Sequence, residues 1–261
     1  MSQEIPERRV TFLFDVDNTL IDNDRAKEAL SARIAALLGE VGERRFWEQY
    51  EEVRRDHGLV NIPLILARFG DELEADPSFD DEERRRLRFA LADIVMGFPY
   101  AEYLYPGAMN AVRKARTVGP VAVLSEGDAT FQPHKIWRTG LDPEVDGNVL
   151  VFDRKLDHLD EMTAAFPADH YVLVEDKPDI LTAVKRALGD RVTTILVRQG
   201  KYGQAPLSDE APPDLVFDSI SDLAESDFSQ LDPKTTESAT DTSYVQWEPE
   251  RLPERCAHTT A

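Results

Sequence analysis

Cysteine is nearly absent from this chain, and basic residues are far outnumbered. The lone Cys256 among 261 residues has no internal disulfide partner, so a reducing compartment is expected. Lys and Arg total 30 against 50 Asp and Glu, a net charge of −20. Binding nucleic acid through its phosphates needs the opposite sign, and so does docking on an anionic membrane. No run approaches the roughly 20 apolar residues that span a bilayer. The opening Met1-Ser2-Gln3-Glu4-Ile5-Pro6 has neither the charged nor the apolar region of a signal peptide. These deficits point to a cytoplasmic protein with no nucleic-acid and no membrane partner; they are silent on oligomeric state.

What is present suffices for a sizeable core, since 42% of residues are hydrophobic. Val10 to Phe14 forms a short β-branched and aromatic run of the kind that becomes a buried parallel strand. Comparable runs lie at 121–124, 149–152, 171–174, 194–197 and 215–217, separated by helical stretches at 109–117, 131–139, 156–165 and 180–188. Such alternation predicts an α/β fold with a Rossmann-like, mainly parallel sheet flanked by helices. Between 23 and 98 only helical spacing is found. One helix is expected from Asp24 to Leu38, capped by Asn23 or Asp24 and stopped at Gly39, and a second from Glu43 to about Asp56. Two more follow at 62–69 and 80–96, the last with Leu87, Phe89, Leu91 and Ile94 as its apolar residues. The expected division is a core of 1–22 and 99–228, a helical insertion at 23–98, and an acidic, Ser/Thr/Pro-rich flexible tail at 229–261. In that tail Val245 and Trp247 are the residues able to dock on something. The residues after Ser221 carry −6, leaving −14 on the folded part, so an anionic substrate would need a local positive field working against the global one.

Chemistry-bearing residues gather where the predicted strands end, which is where open α/β sheets keep their sites. Asp15 and Asp17 follow the first strand, and two carboxylates so placed are costly unless a cation or a proton separates them. Ser125, followed by Glu126-Gly127-Asp128, ends the second strand at a turn into a helix, where a hydroxyl and unpaired amides suit phosphate oxygens. Asp128 is the alternative helix cap, which would leave Ser125 free. Lys155 follows the third strand at an element boundary and is preferred as the fixed cation over Lys135, which lies a turn inside its helix. Glu175-Asp176-Lys177-Pro178-Asp179 ends the fourth strand with three carboxylates suited to Mg²⁺.

Asp15-Val16-Asp17-Asn18-Thr19, Ser125, Lys155, and Glu175-Asp176 with Asp179 match, in order and context, the four motifs of the haloacid dehalogenase-like (HAD) hydrolase superfamily. The chain resembles a phosphatase-type member whose helical cap is inserted between the first and second motifs. The resemblance implies that Asp15 is the nucleophile and forms an aspartyl phosphate, with Asp17 as acid and then base. Thr19 would steady the turn beside the phosphate, Ser125 would bond the transferring group, and Lys155 would offset the charge. Asp15, Asp176 and Asp17, the last through its main-chain carbonyl, would hold Mg²⁺. Glu175 and Asp179 would stand behind these ligands or reach the ion through water. Glu126 belongs to the same phosphate-facing turn, but a negative charge there departs from the family's usual neutral residue, so its side chain is expected to point outward. Dehalogenases of this superfamily lack an acid at the position of Asp17, because a halide leaves unprotonated; Asp17 therefore favours hydrolysis of a small phosphorylated metabolite. A sugar phosphomutase and a non-catalytic binding module on the same fold remain as alternatives. Arg54, Arg55, His57 and Asn61, near the turn between two inserted helices, are candidates to meet a substrate's far end, although a solvated face is the plainer account; Trp47 reads as packing first.

Overall fold

Residues 9–207 and 209–231 are described by a computed structural model. Six strands form one sheet in the order β3-β2-β1-β4-β5-β6, and every pairing is parallel. They are β1 (Val10–Phe14), β2 (Val121–Glu126), β3 (Val149–Phe152), β4 (His170–Glu175), β5 (Val192–Val197) and β6 (Leu215–Phe217). The central strands β4 and β5 are buried throughout, whereas the edge strands β3 and β6 are short and only partly covered.

Side chains alternate between the two faces of the sheet, as the period of two requires. Phe12, Phe14, Val123, Val172, Val174 and Ile195 face one side, which packs on α4 (Ala108–Arg116), α5 (Phe131–Thr139) and α9 (Ile220–Glu225). Leu13, Leu124, Tyr171, Leu173 and Leu196 face the other, against α7 (Leu159–Ala165) and α8 (Pro178–Leu188). The short α6 (Leu141–Glu144) follows α5 directly. The outcome is the expected α/β sandwich, in which the chain crosses the sheet from β3 to β4 and the strand order reverses between the neighbours β1 and β4. The carboxyl ends of those two neighbours are therefore where a crevice opens.

The stretch between β1 and α4 is helical, as its spacing predicts. Helix α1 (Asn23–His57) is broken at Gly39 (φ 72°, ψ 172°) into two rods, and α2 (Ile62–Ala75) and α3 (Asp81–Met96) complete four helical segments. Their details differ from expectation in three places. The cap of α1 is Asp22, which accepts from Arg25 N at 3.0 Å, while Asn18 Oδ1 accepts from the amides of Asn23 and Asp24. Asn18 reaches back because its own φ is 65°. Helix α2 runs six residues beyond Phe69, because Leu73 is also buried on its inner face. Phe89 is 78% exposed, since the inner stripe of α3 is Leu87, Leu91 and Val95 at four-residue steps, which puts Phe89 on the far side.

Described residues run to Leu231, which is buried with Phe228 in the core. Val245, Trp247 and Cys256 lie outside the described residues. No helix among those described is long and apolar enough to cross a membrane.

Candidate active site

Asp15 continues the hydrogen bonding of β1 by donating its amide to Val174 O at 3.0 Å, so its carboxylate emerges beside the end of β4. Lys155, in a 3₁₀ turn just after β3, extends beneath the sheet ends. Its fully buried ammonium donates to Asp15 Oδ1 at 2.6 Å, Glu175 Oε2 at 2.6 Å and Leu124 O at 3.3 Å. Burial alone would strip that ammonium of its proton, but Asp15 and Glu175 together hold it above the ordinary lysine range. For Glu175 burial pushes upward, yet Lys155 and Lys177 outweigh it and keep the carboxylate below its usual value.

The carboxylates of Asp15 and Asp176 are in a different condition. Asp15 Oδ2 and both oxygens of Asp176 are buried without a hydrogen-bond partner. One oxygen from each of Asp15, Glu175 and Asp176 lies within 4.8 Å of the others. Burial and then Glu175 push Asp15 up to about 6, and burial followed by Glu175 and Asp15 pushes Asp176 up to about 10. Both oxygens of Glu175 are already engaged, Oε2 with Lys155 and Oε1 with the amides of Asp176 and Lys177 at 3.2 Å each. The remaining oxygens of Asp15 and Asp176 suit a hard divalent cation, which would satisfy the lone pairs and remove the repulsion together.

A second group of polar side chains faces Asp17. Lys135, nearly fully buried on α5, pairs with Asp17 Oδ1 and also donates to Asn23 Oδ1 at 2.8 Å. Gln132, one turn earlier on the same face, donates to Asp17 Oδ2 at 3.2 Å and to Ser125 Oγ at 2.9 Å. Burial raises the Asp17 pKa, but Lys135 more than reverses this and leaves it below the ordinary carboxylate value. Ser125 is held by Gln132, while Asp128 Oδ1 caps α5 by accepting from Thr130 N at 3.0 Å and Phe131 N at 2.7 Å.

Among known families, the haloacid dehalogenase-like hydrolase profile matches residues 10–197. That span holds every one of the groups just described. The chain belongs to the haloacid dehalogenase-like hydrolase family. A solved haloacid dehalogenase-like hydrolase from Burkholderia xenovorans is 38% identical over 86% of this chain and 98% of its own, with a TM-score of 0.74. A HAD-hydrolase from Bacillus subtilis, described as bound to magnesium, is 18% identical over 83% of this chain and 97% of its own (TM-score 0.52). A 2-haloacid dehalogenase from Pseudomonas syringae is 20% identical over 83% and 97% (TM-score 0.60). The last two share the fold. No curated protein gives a match.

Within this HAD-like hydrolase the residues expected from sequence fall into three groups. Asp15, Asp17, Ser125, Lys155, Glu175 and Asp176 converge on the ends of β1, β2 and β4, as their strand-terminal positions require. Thr19 and Glu126 are close by, and of the two it is Glu126 that differs from expectation. Thr19 is fully buried inside the turn, where its carbonyl accepts from Gln199 Nε2 at 3.0 Å, so it supports the turn and does not line the cleft. Glu126 is not turned outward: Oε1 accepts the amide of Lys155 at 3.0 Å and Oε2 lies 4.0 Å from Lys177 Nζ. Its charge is thereby engaged in placing Lys155. Asp179 is not brought in at all, because it sits on the exposed side of the first turn of α8 while Pro178, Ile180 and Leu181 take the inner side. The side chain of Asp17 turns to Lys135 and leaves the acidic cluster to Asp15, Glu175 and Asp176.

Sequence reasoning set Lys135 aside and missed Gln132, Asn23 and Lys177. A signal existed for the first two: polar residues three apart on α5, flanked by the apolar Phe131 and Ile136, mark one helix face turned toward something polar. Of the residues suggested for a substrate's far end, Arg54 lines the cleft and pairs with Glu51 at 3.2 Å, while Arg55 and His57 are exposed. Asn61 caps α2 by accepting from Leu64 N at 2.9 Å. Trp47 packs edge-on to Phe46 and Tyr50, donates to Ser31 Oγ at 2.9 Å, and lines the cleft as well.

Proposed function

We propose that this HAD-like hydrolase is a magnesium-dependent phosphatase that cleaves a small phosphorylated metabolite through an aspartyl-phosphate intermediate. The observation that carries this reading is the division of labour at Asp15. One oxygen is fixed by Lys155, while the other is buried without a partner beside both unpartnered oxygens of Asp176. Asp15, Asp176 and the main-chain carbonyl of Asp17 would hold Mg²⁺, which supplies charge neutralisation and orientation for the phosphate oxygens.

Asp15 attacks phosphorus, the ester P–O bond breaks, and the alcohol leaves with a proton delivered from Asp17. Water then attacks the aspartyl phosphate, Asp17 takes the proton, and inorganic phosphate leaves with Asp15 restored. Lys135 holds Asp17 ionised before substrate enters, which is the state the base step needs. A phosphate group placed alongside adds negative charge and raises the Asp17 pKa, so that Asp17 takes up a proton from solvent or from a monoprotonated ester as substrate binds, the state the acid step needs. Gln132 positions the Ser125 hydroxyl for the transferring group. The helices from Asn23 to Met96 form the outer wall of the cleft and act as a cap that shields the intermediate from bulk water.

The deciding assay incubates the purified chain with Mg²⁺ and a panel of phosphate esters, beside Asp15→Asn. Phosphate release that stops with EDTA, and that falls by at least about 10³-fold in the variant, is expected. A variant that keeps the wild-type rate removes Asp15 as nucleophile. Halide release from 2-haloacids without phosphatase activity replaces the reading by a dehalogenase.

A further inference from the structure

The cleft has a cavity of about 330 Å³ and extends well beyond the phosphate end. Its inner part is lined by Asp17, Gly127, Gln132, Lys135 and Lys177, with Asp15 and Ser125 almost covered behind them. Along the wall made by α1, Asn23, Lys27 and Leu30 succeed one another on one helical face. Asn23 touches Lys135, so Lys27 stands one turn, about 6 Å along the helix axis, farther out. Lys201 lies across from the start of that helix, its amide bonded to Asp24 Oδ2 at 3.0 Å.

These two lysines are unlike the others. Lys114, Lys135, Lys155, Lys177 and Lys185 each have a carboxylate or carbonyl partner. Among the described residues Lys27 and Lys201 have neither hydrogen bond nor ion pair for their ammonium groups, although the chain carries 50 acidic residues. Each rests on an aromatic face instead: Lys27 lies 4.9 Å from the ring centre of Tyr50, and Lys201 lies 4.8 Å from that of Tyr202. Burial pulls Lys27 below the ordinary lysine range and Lys201 reinforces it, while Asp17, Asp24 and Glu51 oppose it from a distance without pairing to the ammonium. Two cations that repel each other across the cleft, Lys27 half-buried and Lys201 exposed, with carboxylates near but none paired to either ammonium, form a site for an anion.

We infer that Lys27 and Lys201 bind a second anionic group of the substrate, a carboxylate or a further phosphate, so that the preferred substrates are short phosphate esters with a charged far end. The inference rests on the phosphatase reading and adds the substrate class to it. Between the two anions the chain passes Tyr50, Tyr100 and Phe131, which offer ring surface for a short carbon skeleton.

The test compares kcat/KM for matched esters in the Mg²⁺-loaded full chain: phosphoglycolate against ethyl phosphate, and propanediol bisphosphate against propyl phosphate. Wild type should prefer the doubly anionic member by about tenfold or more, the effect of a charge-assisted hydrogen bond. The preference should shrink toward unity in Lys27→Met and in Lys201→Met, and Lys27→Arg should retain it. Whichever pair shows the larger ratio identifies the far-end anion. Equal rates within both pairs in wild type, or a preference that survives both methionine variants, overturn the inference while leaving the phosphatase intact. Absence of turnover on all four esters with phosphate released from other esters of the panel overturns the inference alone, and release from none removes the phosphatase reading as well.

Discussion

Both oxygens of Asp176 are buried without a partner; burial and the neighbouring carboxylates push its pKa up to about 10 and that of Asp15 up to about 6. In the unfolded chain both release their protons near pH 4. Between these limits the folded state binds more protons than the unfolded one, so the contribution of these two carboxyls to stability is complete below pH 4 and declines as pH rises. Asp17 and Glu175, whose values are lowered, are ionised in both states above about pH 6 and add no slope there; Lys155, raised, is charged in both. His158 is also raised and contributes in the same direction as Asp176. With EDTA present, Tm should therefore fall steadily from pH 5 to pH 8. Excess Mg²⁺ should restore it, more at pH 8 than at pH 5, because the ligands must lose their protons to bind. Asp176→Asn separates the contributions by flattening the EDTA slope to that of His158 and Asp15 and abolishing the Mg²⁺ gain. A wild-type Tm that is level or rising in EDTA contradicts the assignment of Asp176 as the unpaired ligand.

Elements that bury both faces announce themselves, and those defined by packing do not. All six strands were legible as apolar runs, the central four because a parallel strand between two helical layers must be apolar along its length and the partly covered edges β3 and β6 because their short runs stay apolar, and the residues that follow a strand inherit a known position. That is why Asp15, Ser125, Lys155 and Asp176 could be named from sequence. The short α6 and α9 have too few turns to show a period. Lys135 and Gln132 were hidden for another reason: they project from inside α5, and only the contact of Lys135 with Asn23 on α1 reveals that this face meets Asp17. The break in α1 was legible as a glycine, and its geometry makes a measurable claim. At φ 72° and ψ 172° Gly39 occupies a region that essentially only glycine enters. A Cβ there would meet no atom within 4 Å, so steric crowding is not at issue. Gly39→Ala should nevertheless destabilise the chain by about 1–3 kcal/mol through backbone strain, read as a lower urea midpoint at unchanged m-value. An unchanged midpoint would mean that the helix straightens through residue 39 at no cost.

Charge at the scale of the molecule opposes charge at the scale of the cleft. A net −20 repels an approaching phosphate ester over distances set by the Debye length, about 30 Å at 0.01 M salt and about 8 Å at 0.15 M. Lys27, Lys135, Lys177 and Lys201 act within the cleft, where separations are well below either length and partial burial weakens screening. Added salt should thus remove the repulsion before it weakens the binding contacts. For a phosphate ester at fixed free Mg²⁺, kcat/KM is expected to rise by a few-fold between about 0.01 M and 0.15 M KCl, with kcat nearly constant. The sign is the informative part, because enzymes that steer oppositely charged substrates lose kcat/KM over the same range. A decrease here would mean that the four cleft lysines govern the field outside the protein as well as inside it. An increase that persists in Lys27→Met would locate the repulsion in the global charge, since the long-range field hardly changes when one of 30 cations is removed.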